Sequence, residues 1–242
     1  MTLELCVPVH NEVAIIKKSL ERICQTLAKQ EKFLWRIVVV DNASTDGTAE
    51  EVSRFSDPRV GLLRTEEKGK GAAIIAAARS SASGTASLFG FIDADLSADP
   101  SEIIKLVEYF DNSNADIVIG SRLLDTKIVS RGIFRSFSSK VFNFTRWFLL
   151  GISVQDSQCG LKLMNQKGRN ILCDCRETGW FLDLEFLAKA EQAGLRVCEV
   201  PIRWNEFEFP ERISKLKIIR DGFGSVSAMF RIRKRLRPSL SL

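Results

Sequence analysis

The first half of the chain alternates short, near-continuous apolar runs with helical stripes, and that alternation restricts it to a sheet built from βαβ units. "LELCVPV" (3–9), "RIVVV" (36–40), "VGLL" (60–63), "SLFGFI" (87–92) and "ADIVIG" (115–120) read as strands. "RIVVV" has no polar alternation, as a strand covered on both faces requires. Between the first two runs, Ile16, Leu20, Ile23 and Leu27 recur at spacings of four, three and four, one apolar stripe of a helix. "GAAIIAAARS" (71–80) and "SEIIKLVEYF" (101–110) read as further helices, the second opened by Pro100 with Asp99 as its cap. The fold class is α/β, with a mostly parallel central sheet and helices on both faces. The 242 residues suffice for one large core of that kind.

Polar residues follow the strands at one common edge. His10, Asn11 and Glu12 come after the first, "DNASTDG" (41–47) after the second, "DADLS" (93–97) after the fourth, and Ser121 and Arg122 after the fifth. Ligands of open α/β sheets bind outside the carboxyl ends of the strands. Asn, Asp and Gly favour turns in any protein, so the coincidence of four strands carries the signal. A dinucleotide oxidoreductase does not fit, because "EKGKGAAI" places Ile74 where the third small residue of G-x-G-x-x-G/A belongs and does not follow the first strand. Its glycines can still bring backbone N–H groups to a phosphate. There is no Walker A sequence and no G-x-S-x-G elbow, and with His10 as the single histidine a His-based triad is unsupported.

"FIDADLSADP" (91–100) runs a strand into three carboxylates, Asp93, Asp95 and Asp99. Asp93 and Asp95 lie two apart and in an extended segment point the same way. Such oxygen ligands suit Mg²⁺ or Mn²⁺ completed by phosphate oxygens. On the residues alone two other readings stand: solvated loop carboxylates, and an aspartyl-phosphate phosphotransferase with Asp93 as nucleophile. The second needs a downstream Lys and further acidic groups in an arrangement that "DNASTDG" and the later arginines do not give.

"PVHNE", "VVVDNASTDGT", "GKGAA", "DADLSADP", "GSR", "DSQCGLKLM" and "WFLDLEFLAKAEQAGLRVCEVPIRW" together resemble the inverting family 2 glycosyltransferases of GT-A fold. Within that family they are similar to the polyprenyl-phosphate sugar synthases, which act on dolichyl phosphate with glucose or mannose. The resemblance implies a catalytic domain over residues 1–215 and a basic amphipathic tail over 216–242. It implies a sugar nucleotide bound by Pro8, His10, Glu12, Asp41, Asp46, Lys70, Asp93 and Ala94, and Mg²⁺ or Mn²⁺ held by Asp93, Asp95 and Ser97. Asp46 next to Gly47 reads equally well as a turn. Asp95, Arg122 and Arg135 would serve catalysis, and Arg122, Arg135, Ser139, Arg212 and Lys215 would bind the lipid phosphate, Arg being suited to bidentate phosphate contacts. The chain departs from the family pattern at His10, where Tyr is common, and at Ser97, where mannose-type enzymes often carry Gln. The "DSQCGLKLM" and "IRWNEFE" stretches favour UDP-glucose, with GDP-mannose as the alternative donor.

Charge and hydropathy bear on location. No run approaches the ~20 apolar residues of a membrane span, and the chain opens directly on a strand-like segment rather than a signal peptide. The expected place is the cytosolic face of a membrane, bound peripherally, with a separate membrane-anchoring subunit as a further possible partner. "FRSFSSKVFNFTRWFLLG" (134–151) mixes aromatic and basic residues at helical spacing, with Arg135, Lys140 and Arg146 supplying charge, as an interfacial helix does. "RIRKRLR" (231–237) carries five of the cations behind a net charge of +5 and reads as a solvated tail or a contact to anionic lipid, without any nucleic-acid motif. The six cysteines lack zinc-site spacing and read as reduced thiols.

Overall fold

The computed structural model describes residues 1–80, 86–124, 145–205 and 218–236. The strands are β1 (Thr2–Val9), β2 (Leu34–Asn42), β3 (Val60–Thr65), β4 (Leu88–Phe91), β5 (Ile117–Ser121), β6 (Lys162–Met164) and β7 (Val197–Pro201). The helices are α1 (Ile16–Leu27), α2 (Thr48–Ser53), α3 (Lys70–Ser80), α4 (Ser101–Asp111), the helical residues 145–150 (α5), α6 (Gln166–Cys173), α7 (Leu182–Gln192) and α8 (Ile218–Leu236).

One seven-stranded sheet runs in the order β3-β2-β1-β4-β6-β5-β7. β1 pairs in parallel with β2 from Thr2↔Leu34 to Val9↔Asp41, and with β4 from Leu3↔Leu88 to Cys6↔Phe91. The five expected strands are all present. Two more are not signalled by the apolar runs. β6 has three residues and is antiparallel to both β4 and β5, and its short buried run carries a lysine, Lys162. β7 pairs in parallel with β5 at the sheet edge, and its sequence "VCEVP" is too mixed to stand out.

The pleat divides the core between the two faces. Leu3, Leu5, Val7 and Val9 of β1 pack with the stripe Ile16, Leu20, Ile23 and Leu27 of α1 and with Ile103, Leu106 and Val107 of α4. On the other face Cys6, Phe89 and Phe91 meet Ala73, Ile74 and Ala77 of α3, Leu184, Phe186 and Leu187 of α7, and Met229 and Ile232 of α8. A side chain such as Leu20, fully buried, contributes about 1.5–3 kcal/mol. Among the described residues all six cysteines are free, four of them buried.

Asp99 caps α4 as expected: its Oδ1 accepts the Ser101 N–H at 2.9 Å and the Ser101 hydroxyl at 2.5 Å. Two expectations about charge are corrected. Arg146 of α5 is buried at 2% exposure rather than lying at a surface, with Glu199, Glu191 and Asp156 supplying the negative charge around it. The basic run is not a free solvated tail either. Ile232 is buried, and Arg231 and Arg235 both bind Glu177. Phe137, Val141 and Phe144 of the aromatic stretch lie outside the described residues.

Candidate active site

Two strand-end loops are laced together into one wall of the site. After β1 the Asn11 N–H donates to Ser44 Oγ at 2.9 Å, and Asn11 Oδ1 accepts the Thr45 N–H at 2.8 Å. The Glu12 N–H donates to Thr48 Oγ1 at 2.9 Å, while the Glu12 carbonyl accepts the N–H groups of Ile15 and Ile16 at the start of α1. Asp46 belongs to this lacing. Its carboxylate accepts the Val13 N–H at 3.1 Å, the Thr48 N–H at 3.1 Å and the Thr48 hydroxyl at 2.5 Å. Partial burial opposes ionisation of Asp46, but these hydrogen bonds outweigh it and hold its pKa below the ordinary value. Asp46 is thus committed to joining two loops.

Asp41, at the end of β2, is fully buried, with Oδ2 3.4 Å from Arg64 Nε and Oδ1 3.3 Å from the Ser44 N–H. Pro8 is half-buried in β1 opposite Val40. His10 is exposed, and its Nδ1 lies 2.7 Å from the Asn42 carbonyl. Asn42 in turn bonds Glu67 O through Nδ2 and accepts the Gly69 N–H at 2.6 Å, which ties β2 to the glycine-rich segment.

The "DADLS" segment is a turn, not the extended run assumed from its spacing. The Leu96 N–H donates to Asp93 O at 3.1 Å, and Leu96 has φ +51°. The two carboxylates are therefore set by a turn rather than by a pleat. Asp95 Oδ1 accepts the Ser97 N–H at 3.1 Å, whereas Asp93 Oδ1 lies 2.5 Å from Lys70 Nζ. Ala94 is buried, and its carbonyl accepts the Ser19 hydroxyl of α1 at 2.6 Å. Ser97 is buried, and its carbonyl accepts the Asn205 N–H at 2.8 Å.

Lys70 opens α3 and joins this centre to residues that the motifs do not single out. Burial alone would lower its pKa. Asp93, Asp183 and Asp95 more than compensate and raise it, so the ammonium stays charged. The Trp180 ring faces the same nitrogen at 5.5 Å. Asp183 of α7 is 2.6 Å from Lys162 Nζ, a fully buried ammonium that also donates to the Cys159 carbonyl at 2.5 Å. The available signal for Asp183 is the pair of acidic residues, Asp183 and Glu185, inside the otherwise apolar "WFLDLEFL", and the signal for Lys162 is the lysine inside "CGLKLM". Gly160 is required here: a Cβ on it would lie 2.1 Å from Asp93 Oδ2. Gly69 and Gly71 also have a specific use. A Cβ on either would collide with the backbone of 177–179, and the Ala72 N–H already donates to Thr178 O at 2.9 Å. The glycine-rich turn receives a neighbouring loop through close backbone approach.

Arg122, at the end of β5, is clamped by Asp156. Its Nε and Nη2 lie 2.7 and 2.6 Å from the carboxylate, and its backbone N–H donates there at 2.8 Å. The Trp204 ring covers the guanidinium at 4.7 Å. Burial pushes the Asp156 pKa up, but the bonds from Arg122 win and hold it below the ordinary range. Arg135, Ser139, Arg212 and Lys215 lie outside the described residues.

The edge formed by β1, β2 and β4 thus gathers Asp41, Asp93, Asp95 and Lys70. The Glycosyl transferase family 2 model matches residues 4–170 and spans this whole edge. The chain belongs to that family. This family 2 chain is 28% identical over 232 residues to glycosyltransferase AglD of Haloferax volcanii, covering 93% of itself and 36% of that protein. It is 32% identical over 229 residues to dolichyl-phosphate beta-glucosyltransferase ALG5A of Trichomonas vaginalis, covering 89% of itself and 68% of the relative. It therefore spans about a third of the first relative's length and two thirds of the second's. Its fold is that of GT-A glycosyltransferases. It superposes with a TM-score of 0.66 and 18% identity on glucosyl-3-phosphoglycerate synthase of Mycobacterium tuberculosis, solved with Mn²⁺, UDP and glucosyl-3-phosphoglycerate, covering 98% of this chain and 81% of that one.

Proposed function

We propose that this family 2 glycosyltransferase moves glucose from UDP-glucose to a polyprenyl phosphate of dolichyl type, with inversion. The observation that carries this reading is the match over most of the chain to a dolichyl-phosphate beta-glucosyltransferase. The geometry agrees with it, because the carboxylates and Lys70 are gathered where a sugar diphosphate would lie.

In the proposed reaction an oxygen of the lipid phosphate attacks the anomeric carbon of glucose from the face opposite the diphosphate. The carbon–oxygen bond to the diphosphate breaks, and UDP leaves with that electron pair. A phosphate monoester has its second pKa near ~6, so the nucleophile is largely ionised at neutral pH and needs little general-base help. An exposed His10 as the chain's single histidine fits that economy. Pro8, His10, Glu12 and Asp41 would border the nucleoside, Asp46 acting through the loop it fixes and Ala94 through the turn it buries.

Asp93 and Asp95 fit a hard divalent cation, Mg²⁺ or Mn²⁺. They are partly exposed carboxylates on one turn, and among the described residues no cluster of three or more His, Cys, Asp or Glu ligands is present, so phosphate and water oxygens would complete the shell. The Ser97 hydroxyl is the third protein oxygen proposed for it. Bound there, such a cation would neutralise charge developing on the diphosphate. Lys70 supplies a second, covalently tethered positive charge beside Asp93, and Arg122 supplies one at the end of β5, held in orientation by Asp156. Arg135, Ser139, Arg212 and Lys215 complete the proposed lipid-phosphate site.

The exposed aromatics support a peripheral membrane position. Trp147 and Phe148 of α5 are 57% and 65% exposed, Phe230 of α8 is 57% exposed, and Arg233 lies 6.0 Å from the Phe148 ring. Among the described residues no helix is long and apolar enough to cross a membrane. Competition between labelled UDP-glucose and GDP-mannose for transfer to a polyprenyl phosphate tests the proposal, and preferential glucose incorporation is expected. Preferential mannose incorporation would overturn the donor assignment, and no transfer from either would overturn the activity.

A further inference from the structure

We infer that α8 is a positioning element of the donor site, acting on Lys70 through Glu177; this rests on the transferase reading above. Glu177 is buried at 7% exposure in the loop between α6 and α7. Arg231 Nε and Nη2 donate to its two carboxylate oxygens at 2.8 and 2.7 Å, and Arg235 Nη1 donates at 2.8 Å. Charge-assisted bonds in a bidentate arrangement fix direction as well as distance. The same loop is also held through its backbone, because Glu185 Oε2 of α7 accepts the N–H groups of Arg176 and Glu177 at 2.8 and 2.6 Å.

The loop so clamped is in direct contact with the start of α3. Cβ atoms built on Gly69 and Gly71 would lie 2.1 Å from Thr178 O and 2.7 Å from Glu177 O. The Ala72 N–H donates to Thr178 O at 2.9 Å. Lys70 lies between those two glycines, with its ammonium 2.5 Å from Asp93 Oδ1 and 5.5 Å from the Trp180 ring of the same loop. The α8 arginines thus connect to Asp93 through the Glu177 ion pairs, the Ala72–Thr178 backbone bond and the Lys70–Asp93 ion pair. Arg231 and Arg235 of the basic run brace the loop that sets Lys70. Ala228, Met229 and Ile232 of α8 are also buried, so apolar contacts remain to hold the helix when the Arg–Glu clamp is removed.

Calorimetry of UDP binding in the presence of Mn²⁺, with transfer kinetics and melting alongside, tests this on wild type, Glu177→Gln, Arg231→Lys and the exchanged pair Glu177→Arg with Arg231→Glu. Glu177→Gln should weaken UDP binding and raise the donor KM about 10-fold, with kcat falling less than threefold and the melting temperature within a few degrees of wild type. Arg231→Lys should retain most of the binding, and the exchanged pair should recover part of it. UDP affinity and donor KM unchanged in Glu177→Gln would overturn the inference. So would a loss that tracks melting temperature across all variants, because that would be stability alone. Failure of wild type itself to bind UDP would instead overturn the donor assignment, which keeps the two readings separable.

Discussion

Adding one methyl group at Gly160 should disable the enzyme while leaving it folded. The Cβ of Gly160→Ala would be 2.1 Å from Asp93 Oδ2 and 2.7 Å from Asp93 Cγ, so the carboxylate must move. It can: the Asp93 side chain is 27% exposed, and rotation carries it into the open edge rather than into the core. The movement breaks the 2.5 Å contact with Lys70. A hydrogen bond to a charged group contributes about 1.5–3 kcal/mol, and if the displaced geometry is what the transition state uses, kcat/KM falls roughly 10- to 150-fold. Stability should fall by less than ~1 kcal/mol, or about 2–4 °C for a chain of this size. Gly90→Ala is the contrast. Its Cβ would meet Leu163 Cδ2 at 2.3 Å and Lys162 O at 2.8 Å inside the sheet, where nothing can swing away. It should lose stability first. Initial rates of glucose transfer and calorimetric melting of both variants decide the matter. Transfer by Gly160→Ala within twofold of wild type would refute the placement of Asp93, and a melting loss equal to that of Gly90→Ala would show that its defect is unfolding.

Asp95→Ala should cut transfer by several kcal/mol of transition-state stabilisation and abolish its response to added Mn²⁺ or Mg²⁺; a variant that still titrates with metal to the wild-type rate would remove the carboxylate from the metal site. Acid should weaken the fold through Asp156 and Glu177. Arg122 outweighs the burial of Asp156, and Arg231 leads the effects on Glu177, so both folded-state pKa values lie below the ordinary 3.8 and 4.5. Their stabilisation is therefore full above about pH 4.5 and is lost as pH falls through the depressed values, because the unfolded chain binds more protons there. Melting followed from pH 7 to 3 should show the decline below pH 4.5, shallower in Glu177→Gln. A decline equally steep in that variant would count against the contribution of Glu177. Flotation with anionic vesicles at low and high salt should show binding that weakens with salt, and replacing Trp147 and Phe148 by Ala should reduce what remains; no flotation at any salt would remove the peripheral contact.

The parallel half of the sheet was legible because β1, β4 and the carboxyl-terminal half of β2 are largely buried and so carry long apolar runs, broken in β1 by Glu4, and because the α1 stripe is intact. β6 was not, since a three-residue strand lodged between two others can carry Lys162 as long as Asp183 and the Cys159 carbonyl receive its ammonium. The site was legible as an edge and as a set of residue types. Its pairings were not. Lys70 was singled out through "GKGAA", but only folding shows that it meets Asp93 while its two flanking glycines accept the 177–179 backbone. The basic run misled for a similar reason: its counter-charge, Glu177, is 54 residues away from Arg231. Asp93 and Asp95 were singled out by spacing, yet the reason offered, an extended segment, was wrong, because the strand had already ended at Phe91.

That turn belongs to a pattern along the edge. The three non-glycine residues with positive φ among those described are Asn11 at +52°, Ala43 at +53° and Leu96 at +51°, and they follow β1, β2 and β4 respectively. Asn tolerates the left-handed region, but Ala and Leu incur a penalty of roughly 1 kcal/mol or more in it. Such conformations persist only when their surroundings over-determine them, and each has visible restraints. The side chain of Asn11 and its N–H are bonded to the β2 loop, and Asn42 and Ser44 hold the chain on either side of Ala43. Leu96 is buried at 1% exposure, and its N–H closes the turn on Asp93. A left-handed residue thus follows each of three adjacent strands, two residues after β1, one after β2 and five after β4. Asn11 sets the exit from β1 that leads to Glu12, and Leu96 closes the turn that carries Asp93 and Asp95. With Asp41, held in β2, they lie at one edge, where a substrate spanning a nucleoside, a diphosphate and a sugar could meet them together. The strain is concentrated at the candidate site's edge, and elsewhere in the described backbone positive φ occurs only at glycines, which adopt it without that penalty.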